Sequence, residues 1–444
     1  MDAPEINCTH PGPKSTAIIE RLAKVEGRSG LTFGMADSPV VLESALGAVI
    51  TDPDGNRFLD MVAGFGSLNL GHTHPDITSA VAQQAALGSQ AMSFTAEVRV
   101  ELLESLVATQ PGEFRALLAS SGSEAVETAL KLARRATGRT GIIGFSGGFH
   151  GRTVGALALM GKQSQRDGLG TLGQSVTHLP YPDPYRSPLG ASPEAVASTT
   201  LALLDHQLGD PASGWEQTAA VIIEPVQGNG GMIPAPTGFL TGLREVCDRH
   251  GVLLIVDEVM SGFHRTGARF AFEHDADVRP DIIVLGKSLS AGLPLAGCLV
   301  SQAVSDANPQ GVETSTYAGN LVSCAAAVAA SKVYEREGMS KQADHLGQLL
   351  LQHLGTMFDE HPLVGEVRGR GLMVAIELVV DRETKEPLAT ARDVSNAAIA
   401  NGLLVYPGGH HGNVIGFLPP LIASPNQLER AVDVLADSID HTLT

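Results

Sequence analysis

Short apolar runs alternate with amphipathic stretches along most of the chain. The amphipathic stretch from Phe239 to His250 is typical of a helix, and Gly251 directly after it suits the helix C-terminus. Strand–helix alternation with short loops predicts an α/β domain with a mostly parallel sheet, whose ligand-binding groups gather at the carboxyl ends of the strands. The apolar runs that indicate strands buried on both faces are residues 141–145, 220–223, 252–256 and 282–285.

The two ends of the chain follow a different pattern. Residues 1–15 contain several prolines and predict a loose arm. Val49 to Leu59 alternates around an Asp54-Gly55 turn, and Gly371 to Val380 is typical of a strand. We therefore predict that both ends build one smaller α+β domain beside a large one. The predicted bounds are 1–75 for the arm and first part of the small domain, 76–340 for the large domain, and 341–444 for the rest of the small domain.

Composition narrows the possible partners. The 444 residues include 30 Lys and Arg against 48 Asp and Glu, which gives a net charge of -18 at pH 7. Such an acidic chain is not expected to bind nucleic acid or an anionic membrane. No apolar run is long enough to span a membrane, and no signal peptide is evident. Four well-separated cysteines without metal-type spacing favour reduced thiols and a cytoplasmic protein.

The first candidate for ligand chemistry lies at the start of a predicted helix, in Ser120-Ser121-Gly122-Ser123-Glu124-Ala125. Small residues at a helix N-terminus leave backbone N–H groups free, and the helix dipole favours an anion such as phosphate there. The same residues are typical of a capping box, with Ser121 as N-cap and Glu124 three residues later. The two interpretations are compatible.

Two further candidates follow buried strands. Asp257 directly follows Val252–Val256, where a carboxylate must be hydrogen-bonded or paired, because burying it alone is costly. It is a candidate metal ligand, helix cap or partner of a protonated ring nitrogen. Lys287 follows Ile282–Leu285 closely, and a partly buried lysine has a lowered pKa, so that its neutral amine can attack an aldehyde. The alternative is a lysine that extends to solvent.

Together these features predict one site with a phosphate-binding helix end, the aspartate Asp257 and the lysine Lys287. Pyridoxal 5'-phosphate (PLP) needs that set: its phosphate is anchored, its aldehyde condenses with the lysine, and its ring nitrogen stays protonated beside a carboxylate. PLP is therefore the predicted cofactor. His410 and His411 lie among glycines, but no third metal ligand is evident, so we predict a flexible loop and no metal site.

Six motifs resemble those of the class III aminotransferases and occur in the same order as in that family. The family is the ω-aminotransferase branch of the fold type I PLP enzymes. The resemblance runs from about residue 20 to the end, and the pattern is most similar to the 4-aminobutyrate aminotransferase type. It implies an α/β fold with a large domain around a mostly parallel mixed sheet and a smaller α+β domain from both chain ends. The motifs are Gly122-Ser123-Glu124-Ala125, Gly148-Phe149-His150-Gly151, Glu224-Pro225-Val226-Gln227-Gly228, Asp257-Glu258-Val259, Gly286-Lys287 and Ser315-Thr316-Tyr317-Ala318-Gly319-Asn320.

The resemblance implies a role for each matching residue. Lys287 would hold PLP as a Schiff base and shuttle the proton, and Asp257 would pair with the pyridinium. Gly122 and Ser123 would bind the phosphate. The remaining matches are Phe149 and Val259 on the two faces of the ring, and Thr316, which would reach the phosphate of the neighbouring subunit in a homodimer with shared sites. The alternatives are core residues for Phe149 and Val259 and a turn residue for Thr316.

Two arginines are candidate substrate ligands. The resemblance implies that Arg152 and Arg368 grip the carboxylates of 2-oxoglutarate or glutamate, a task suited to the bidentate guanidinium. The alternative for each is a surface or structural salt bridge.

The chain also departs from the 4-aminobutyrate pattern. Asn229 replaces a glutamate that would pair with Arg368 and mask it when an ω-amine binds, and Met260 replaces a glutamine beside the phenolic oxygen of the cofactor. Asparagine cannot form the ion pair, and methionine donates no hydrogen bond. Phe65 occupies a substrate-pocket position that it would reshape. These changes argue against 4-aminobutyrate itself as the substrate.

The predicted activity is therefore PLP-dependent transfer of an amino group, by a ping-pong cycle, between a primary amine and a keto acid, with 2-oxoglutarate as the expected keto acid. The amine could be an ω-amino acid, a polyamine or an amino sugar. Racemases, epimerases and lyases of the same family share these motifs and form the second hypothesis. A non-catalytic PLP-binding protein is the third. The sequence leaves open whether dimers pair into tetramers.

Overall fold

The computed structural model describes residues 3–30, 32, 36–90, 92, 94–170, 172 and 175–443. The chain divides into two compact units, one formed by Met1–Pro75 with Lys341–Thr444 and the other by Asp76–Ser340. We call them the terminal unit and the central unit.

Strands and helices alternate through the central unit, whereas the terminal unit draws them from both ends of the chain. The strands are β1 (Ser44–Leu46), β2 (Val49–Thr51), β3 (Arg57–Asp60), β4 (Phe114–Ala119), β5 (Gly141–Phe145), β6 (Val176–Leu179), β7 (Thr218–Ile223), β8 (Val226–Gln227), β9 (Ile233–Pro234), β10 (Leu253–Asp257), β11 (Ile282–Leu285), β12 (Ala296–Ser301), β13 (Val364–Arg370), β14 (Met373–Asp381), β15 (Glu386–Pro387), β16 (Leu403–Leu404), β17 (Tyr406–Gly408) and β18 (Val414–Phe417). The α-helices are α1 (Pro13–Ala23), α2 (Pro75–Leu87), α3 (Glu97–Val107), α4 (Gly122–Thr137), α5 (Val154–Ala158), α6 (Val196–Gly209), α7 (Phe239–His250), α8 (Gln302–Asp306), α9 (Leu321–Arg336), α10 (Met339–Phe358), α11 (Ala391–Ala400) and α12 (Pro425–Leu443).

The core of the central unit is a seven-stranded sheet with the order β4-β12-β11-β10-β7-β5-β6. Strand β12 is antiparallel to both of its neighbours, and the other pairs are parallel. Every residue of β7 and β11 is buried, as expected for strands covered on both faces. The predicted mostly parallel α/β sheet is therefore confirmed.

Helix ends in this unit follow the predicted signals. Helix α7 spans Phe239–His250 and ends at Gly251, whose φ of 60° is the left-handed conformation that favours glycine. Helix α4 begins after Ser121, whose hydroxyl accepts from the Glu124 backbone N–H at 3.3 Å. The Glu124 carboxylate accepts from the Ser120 N–H at 2.7 Å, one residue earlier than in a regular capping box.

The terminal unit is built from two sheets. Strands β1, β2 and β3 form an antiparallel set, and β16 from the C-terminal part adds in parallel to β3. The second sheet has the order β13-β14-β18-β17, with β15 on β14. The pairing of β16 with β3 shows that both chain ends build one sheet.

The predicted loose arm is partly wrong. Glu5 forms a β-bridge with Arg57, and the Asn7 N–H donates to the Asn56 side chain at 2.8 Å. Helix α1 already begins at Pro13, because proline is well tolerated in the first turn of a helix. Across the residues that the structure describes, no helix combines the length and apolar composition needed to cross a membrane.

Candidate active site

One edge of the central sheet collects the polar residues that follow its strands. Strands β4, β5, β7, β10 and β11 run in the same direction, because β12 is antiparallel to both β4 and β11. Their carboxyl ends therefore share an edge, where α/β proteins bind ligands. The segments that follow these ends are the start of α4, the loop 148–152, Glu224, Asp257 and Lys287.

Asp257 is the last residue of β10 and is only 4% exposed. Its Oδ2 lies 2.7 Å from Nδ1 of the buried His150, and its Oδ1 accepts from the Val259 backbone N–H at 3.0 Å. Burial disfavours the imidazolium of His150, but the hydrogen bond and charge of Asp257 and the charge of Glu224 raise its pKa above the usual value. A carboxylate has about four lone-pair positions, so Asp257 can accept a further donor.

Glu224 follows β7 in the same way that Asp257 ends β10. One oxygen accepts from the Phe149 N–H at 2.8 Å and the other from the Gly228 N–H at 3.0 Å. Burial raises the pKa of Glu224 to about 6, with a smaller contribution from the nearby Asp257 carboxylate. Glu224 thereby ties the loop that carries Phe149 to the loop that follows β8.

Lys287 lies two residues beyond the end of β11, beside β10 in the sheet. Burial of its amine lowers the pKa from 10.5 to about 8, although the charges of Glu224 and Asp257 oppose this shift. Its φ of 44° is the left-handed conformation, which costs a residue with a side chain roughly 1 to 2 kcal/mol. Such strain is concentrated at functional sites.

The N-terminus of α4 offers anion donors. In the described part of the chain, the backbone N–H groups of Gly122 and Ser123 have no hydrogen-bond partner. A Cβ on Gly122 would lie 3.1 Å from Val259 Cγ1, and one on Gly286 would lie 3.3 Å from the same atom. Val259 thus packs between the helix start and the turn that carries Lys287.

Helix α4 also fixes the loop that carries Arg152. The Ser123 hydroxyl accepts from the Arg152 N–H at 3.1 Å, and one oxygen of Glu127 accepts from the Thr153 hydroxyl and the Gly155 N–H, both at 2.7 Å. A Cβ on Gly151, whose φ is 128°, would clash with Ser123. The Arg152 side chain is exposed and forms no ion pair with the described residues.

Asn229 lies in the turn between β8 and β9. Neighbouring Gly228 is packed so closely by the thioether of Met260 that a Cβ there would overlap the sulfur. Met260 therefore packs directly against the residue that precedes Asn229.

Thr316 is exposed, and its carbonyl accepts from the Gln90 side chain at 2.6 Å. Tyr317 beside it is 67% exposed. Thr316 follows none of the strand ends that carry Asp257 and Lys287.

Phe65 lies in the terminal unit, in the turn Ala63–Gly66, where all four residues have left-handed φ values between 47° and 75°. The Asp60 carboxylate holds this turn by accepting from the Val62 and Ala63 N–H groups, each at 2.9 Å. The other Asp60 oxygen lies 2.8 Å from His72 Nε2. The Phe65 ring is half-buried against Tyr406.

Arg368 also lies in the terminal unit, on β13, and is 8% exposed. Its Nη1 lies 2.6 Å from the Glu366 carboxylate and 2.5 Å from that of Glu377. This internal ion pair is what the structural alternative implies, and the binding of a substrate carboxylate by Arg368 stays a prediction. His410 and His411 lie in the turn between β17 and β18, and the described side chains include no group of three or more metal-binding residues.

Two buried members of the sheet edge, Glu224 and His150, had no role assigned from the sequence. The signal for Glu224 was present, since it follows the apolar strand β7 just as Asp257 ends β10. His150 offers no such signal, because its partner Asp257 is 107 positions away. Only the folded loop shows the pair.

The family is decided by a match over most of the chain. Residues 33–439 match the model of the family described as aminotransferase class-III. The chain belongs to the class-III aminotransferases. The enzyme therefore depends on PLP and transfers an amino group between an amine and a keto acid. The predicted family, fold class, cofactor and reaction are confirmed.

Relatives of the enzyme include both transferases and a racemase. It is 38% identical over 409 residues to the 4-aminobutyrate aminotransferase GabT of Escherichia coli (strain K12), covering 90% of this chain and 94% of the relative. It is 32% identical over 452 residues to the alanine/serine racemase of Pyrococcus horikoshii, covering 100% and 94%. The ω-transaminase of Pseudomonas jessenii, solved in complex with PMP, is 30% identical with a TM-score of 0.87, covering 95% of this chain and 97% of that one.

The residues at the sheet edge fit PLP. The N–H groups of Gly122 and Ser123, which have no partner among the described residues, suit a phosphate, and the lowered pKa of Lys287 increases the fraction of neutral amine near neutral pH. Asp257 retains acceptor capacity for a protonated ring nitrogen, and its contact with His150 fixes its orientation.

Proposed function

We propose that the enzyme takes an amino group from a primary amine and passes it to 2-oxoglutarate at the sheet edge of the central unit, with Lys287 and Asp257 as the catalytic residues. The observation that carries this proposal is the placement of Asp257 and Lys287 at the carboxyl ends of two adjacent parallel strands, at the same edge as the α4 N–H groups that have no partner among the described residues. When bound, PLP supplies an aldehyde that condenses with amines and a protonated ring that accepts the electron pair left at the substrate carbon.

Lys287 has two tasks in this proposal. Its amine, with a pKa of about 8, would hold the cofactor in the resting enzyme. When free, the same amine would take the proton from the substrate carbon and return it. The left-handed turn at Lys287 fixes the point from which the side chain reaches both partners.

Other residues bind and orient. Asp257, held by His150, keeps the ring nitrogen protonated, because an adjacent carboxylate favours the charged form. Gly122 and Ser123 hold the phosphate through their N–H groups. Phe149 and Val259 cover the two faces of the ring, and this is supported by the packing of Val259 against Gly122 and Gly286.

Arg152 is the proposed ligand for a substrate carboxylate. Its exposed guanidinium forms no ion pair among the described residues, and its backbone is anchored to Ser123, next to a phosphate ligand. A free guanidinium pairs with a carboxylate in a bidentate manner. The amine substrate is an ω-amino acid, a polyamine or an amino sugar. Since Asn229 cannot pair with an arginine, 4-aminobutyrate is not the preferred amine.

We further propose that the enzyme is a homodimer in which Thr316 reaches the phosphate bound by the partner subunit. The supporting observation is a set of exposed apolar side chains that lie close in sequence either to Thr316 or to Gln90, whose side chain is hydrogen-bonded to Thr316. The Gln90 side chain donates to the Thr316 carbonyl, and the Leu321 N–H donates to the Ser89 carbonyl. The exposed side chains are Leu87 (83%), Met92 (53%), Phe94 (69%) and Tyr317 (67%). Light scattering during size-exclusion chromatography tests this; a monomer of 46.2 kDa would contradict it.

A racemase is the second candidate, and the similarity to the alanine/serine racemase supports it. Titration of the PLP-loaded enzyme with L-glutamate separates the two functions. Loss of the absorbance band of lysine-bound PLP, with growth of the pyridoxamine phosphate band and release of 2-oxoglutarate, supports the proposed transfer. A band that persists, while L-alanine or L-serine loses optical activity without a keto product, would establish the racemase instead.

A further inference from the structure

The turn that carries Lys287 is strained and short. Residues Lys287–Ser290 form a single 3₁₀ turn, and both Lys287 (φ 44°) and Ala291 (φ 50°) adopt the left-handed conformation. Left-handed residues with a Cβ persist only where surrounding contacts hold them. The contacts around this turn therefore determine where the lysine amine lies.

One of these contacts comes from helix α9. The Tyr334 hydroxyl donates to the carbonyl of Ser288, the residue directly after the lysine, at 2.8 Å. This bond spans 46 positions of the chain, and Tyr334 is 2% exposed. A hydrogen bond buried from water restrains its acceptor more firmly than one at the surface.

The Tyr334 ring is itself fixed. It stacks on Phe263 with ring centroids 6.3 Å apart and contacts the His264 ring at 5.2 Å. Phe263 and His264 are themselves left-handed, with φ values of 55° and 71°, and His264 Nδ1 lies 2.6 Å from the Ser340 hydroxyl. Burial raises the pKa of Tyr334 above its usual value, so the hydroxyl remains a donor throughout the working pH range.

We propose that Tyr334 is a positioning residue for Lys287, because its hydroxyl holds the Ser288 carbonyl and thereby fixes the strained turn from which the lysine projects. The inference rests on the proposed role of Lys287 as the residue that bears the cofactor. Tyr334 acts from behind the turn, through the backbone, and takes no part in the chemistry. The charged groups that act on the Lys287 amine are Glu224, Asp257 and Arg265, and the buried His264, whose pKa is lowered to about 4, faces the Tyr334 ring.

The test is Tyr334→Phe in the PLP-loaded enzyme, which removes the donor and keeps the ring. Two readouts are needed: the pH midpoint of the absorbance band of lysine-bound PLP, and the turnover per bound cofactor. The nitrogen that titrates in lysine-bound PLP is an imine, and relaxation of the turn should bring its proton affinity closer to that of an unstrained imine, which predicts a rise of the midpoint by about 0.5 pH units or more. A displaced amine should also lower kcat about tenfold while KM for both substrates stays within about twofold.

A matched control is Thr218→Val. The Thr218 hydroxyl is also buried and donates to a backbone carbonyl, that of Trp215, at 2.7 Å. It lies at the amino end of β7, the end opposite Glu224. Both variants should lower the melting temperature slightly, but only Tyr334→Phe should move the midpoint and kcat.

A Tyr334→Phe enzyme with a lower melting temperature but an unchanged midpoint and kcat would overturn the proposal, since Tyr334 would then be merely structural. If this variant does not fold, Phe263→Leu is the alternative, because it removes the stacked neighbour of Tyr334 and keeps the Tyr334 hydroxyl. Phe263→Leu should raise the midpoint by a smaller amount than Tyr334→Phe. An unchanged midpoint would again overturn the proposal. A wild-type enzyme without any lysine-dependent band would instead refute the proposed function of Lys287.

Discussion

Each unit contains a cluster of charged residues, and the two clusters place the same kinds of side chain in different electrostatic environments. In the terminal unit, Arg368 is paired with Glu366 and Glu377, so opposite charges meet within a single strand pair. In the central unit, Asp257 and Glu224 lie among backbone donors and His150, and the nearby Lys287 amine is desolvated rather than bound in an ion pair.

The difference shows how a structural cluster is distinguished from a reactive one. In the terminal unit, the buried charge of Arg368 is compensated by carboxylates of the same unit. At the sheet edge, burial instead moves the pKa of Lys287 down to about 8 and that of Glu224 up to about 6. Groups shifted towards neutral pH are suited to proton transfer.

The largest expected effect is that of Lys287→Ala. Without the amine, the enzyme cannot bind the cofactor covalently or move the substrate proton, and we expect kcat to fall by at least about 10³-fold. Stopped assays with glutamate and an amine acceptor would measure this. Lys332→Ala is the matched control, because Lys332 is exposed and forms an ion pair with Glu101 at the surface. Equal activity of the two variants would remove Lys287 from the mechanism.

Substitutions of Arg152 and Arg368 should change different properties of the enzyme. Arg152→Met should raise KM for the keto acid by about 10- to 100-fold, the effect of losing a charged hydrogen bond, and leave the melting temperature unchanged. Arg368→Met should destabilise the fold by about 3 to 5 kcal/mol, with little change in KM, because it leaves the buried Glu377 carboxylate without its cation. Steady-state kinetics and thermal unfolding of both variants check this. The reverse outcome would favour Arg368 as the substrate ligand.

Substitutions at two glycines distinguish the effect of close packing from the effect of backbone conformation. Gly151 and Gly168 both have positive φ values, 128° and 78°, but only Gly151 lacks room for a Cβ, which would meet Ser123. Gly168→Ala should cost about 1 kcal/mol from conformation alone. Gly151→Ala should cost more and also weaken PLP binding, because Ser123 must move. PLP titration and chemical unfolding would measure both; equal costs would contradict the close contact.

The smallest effect concerns pH. Only the neutral amine of Lys287 attacks an aldehyde, and its pKa of about 8 is lowered by burial. The rate at which PLP loads onto the cofactor-free enzyme should therefore rise with pH and level off above about pH 8. An ordinary lysine would give a rate still rising near pH 10. Stopped-flow absorbance across this range distinguishes the two.

Sequence patterns predicted the parts of this account that depend on local order. The apolar run 282–285 is strand β11 as predicted, and helix α7 begins at Phe239 and ends at Gly251. The strand-end positions of Asp257 and Lys287 followed from these runs. The reaction and cofactor came from six motifs whose order is specific to one family.

Contacts between distant positions were not predictable. The pairing of His150 with Asp257 and the bond from Tyr334 to Ser288 join residues 107 and 46 positions apart, and no periodicity encodes them. The ion pair of Arg368 could not be predicted for a related reason. An arginine in a motif looks the same in the sequence whether it binds a substrate or a carboxylate of a neighbouring strand. The arm at residues 1–15 is held by long-range contacts with residues 54–57 that its own composition does not reveal.

The most direct test of the central claim is to find which lysine bears the cofactor. The PLP-loaded enzyme would be reduced with borohydride, digested and analysed by mass spectrometry. We predict a phosphopyridoxyl group on the peptide that contains Lys287 and on no other lysine at comparable occupancy. Modification of a different lysine, or none after full loading with PLP, would contradict the assignment of the sheet edge as the active site.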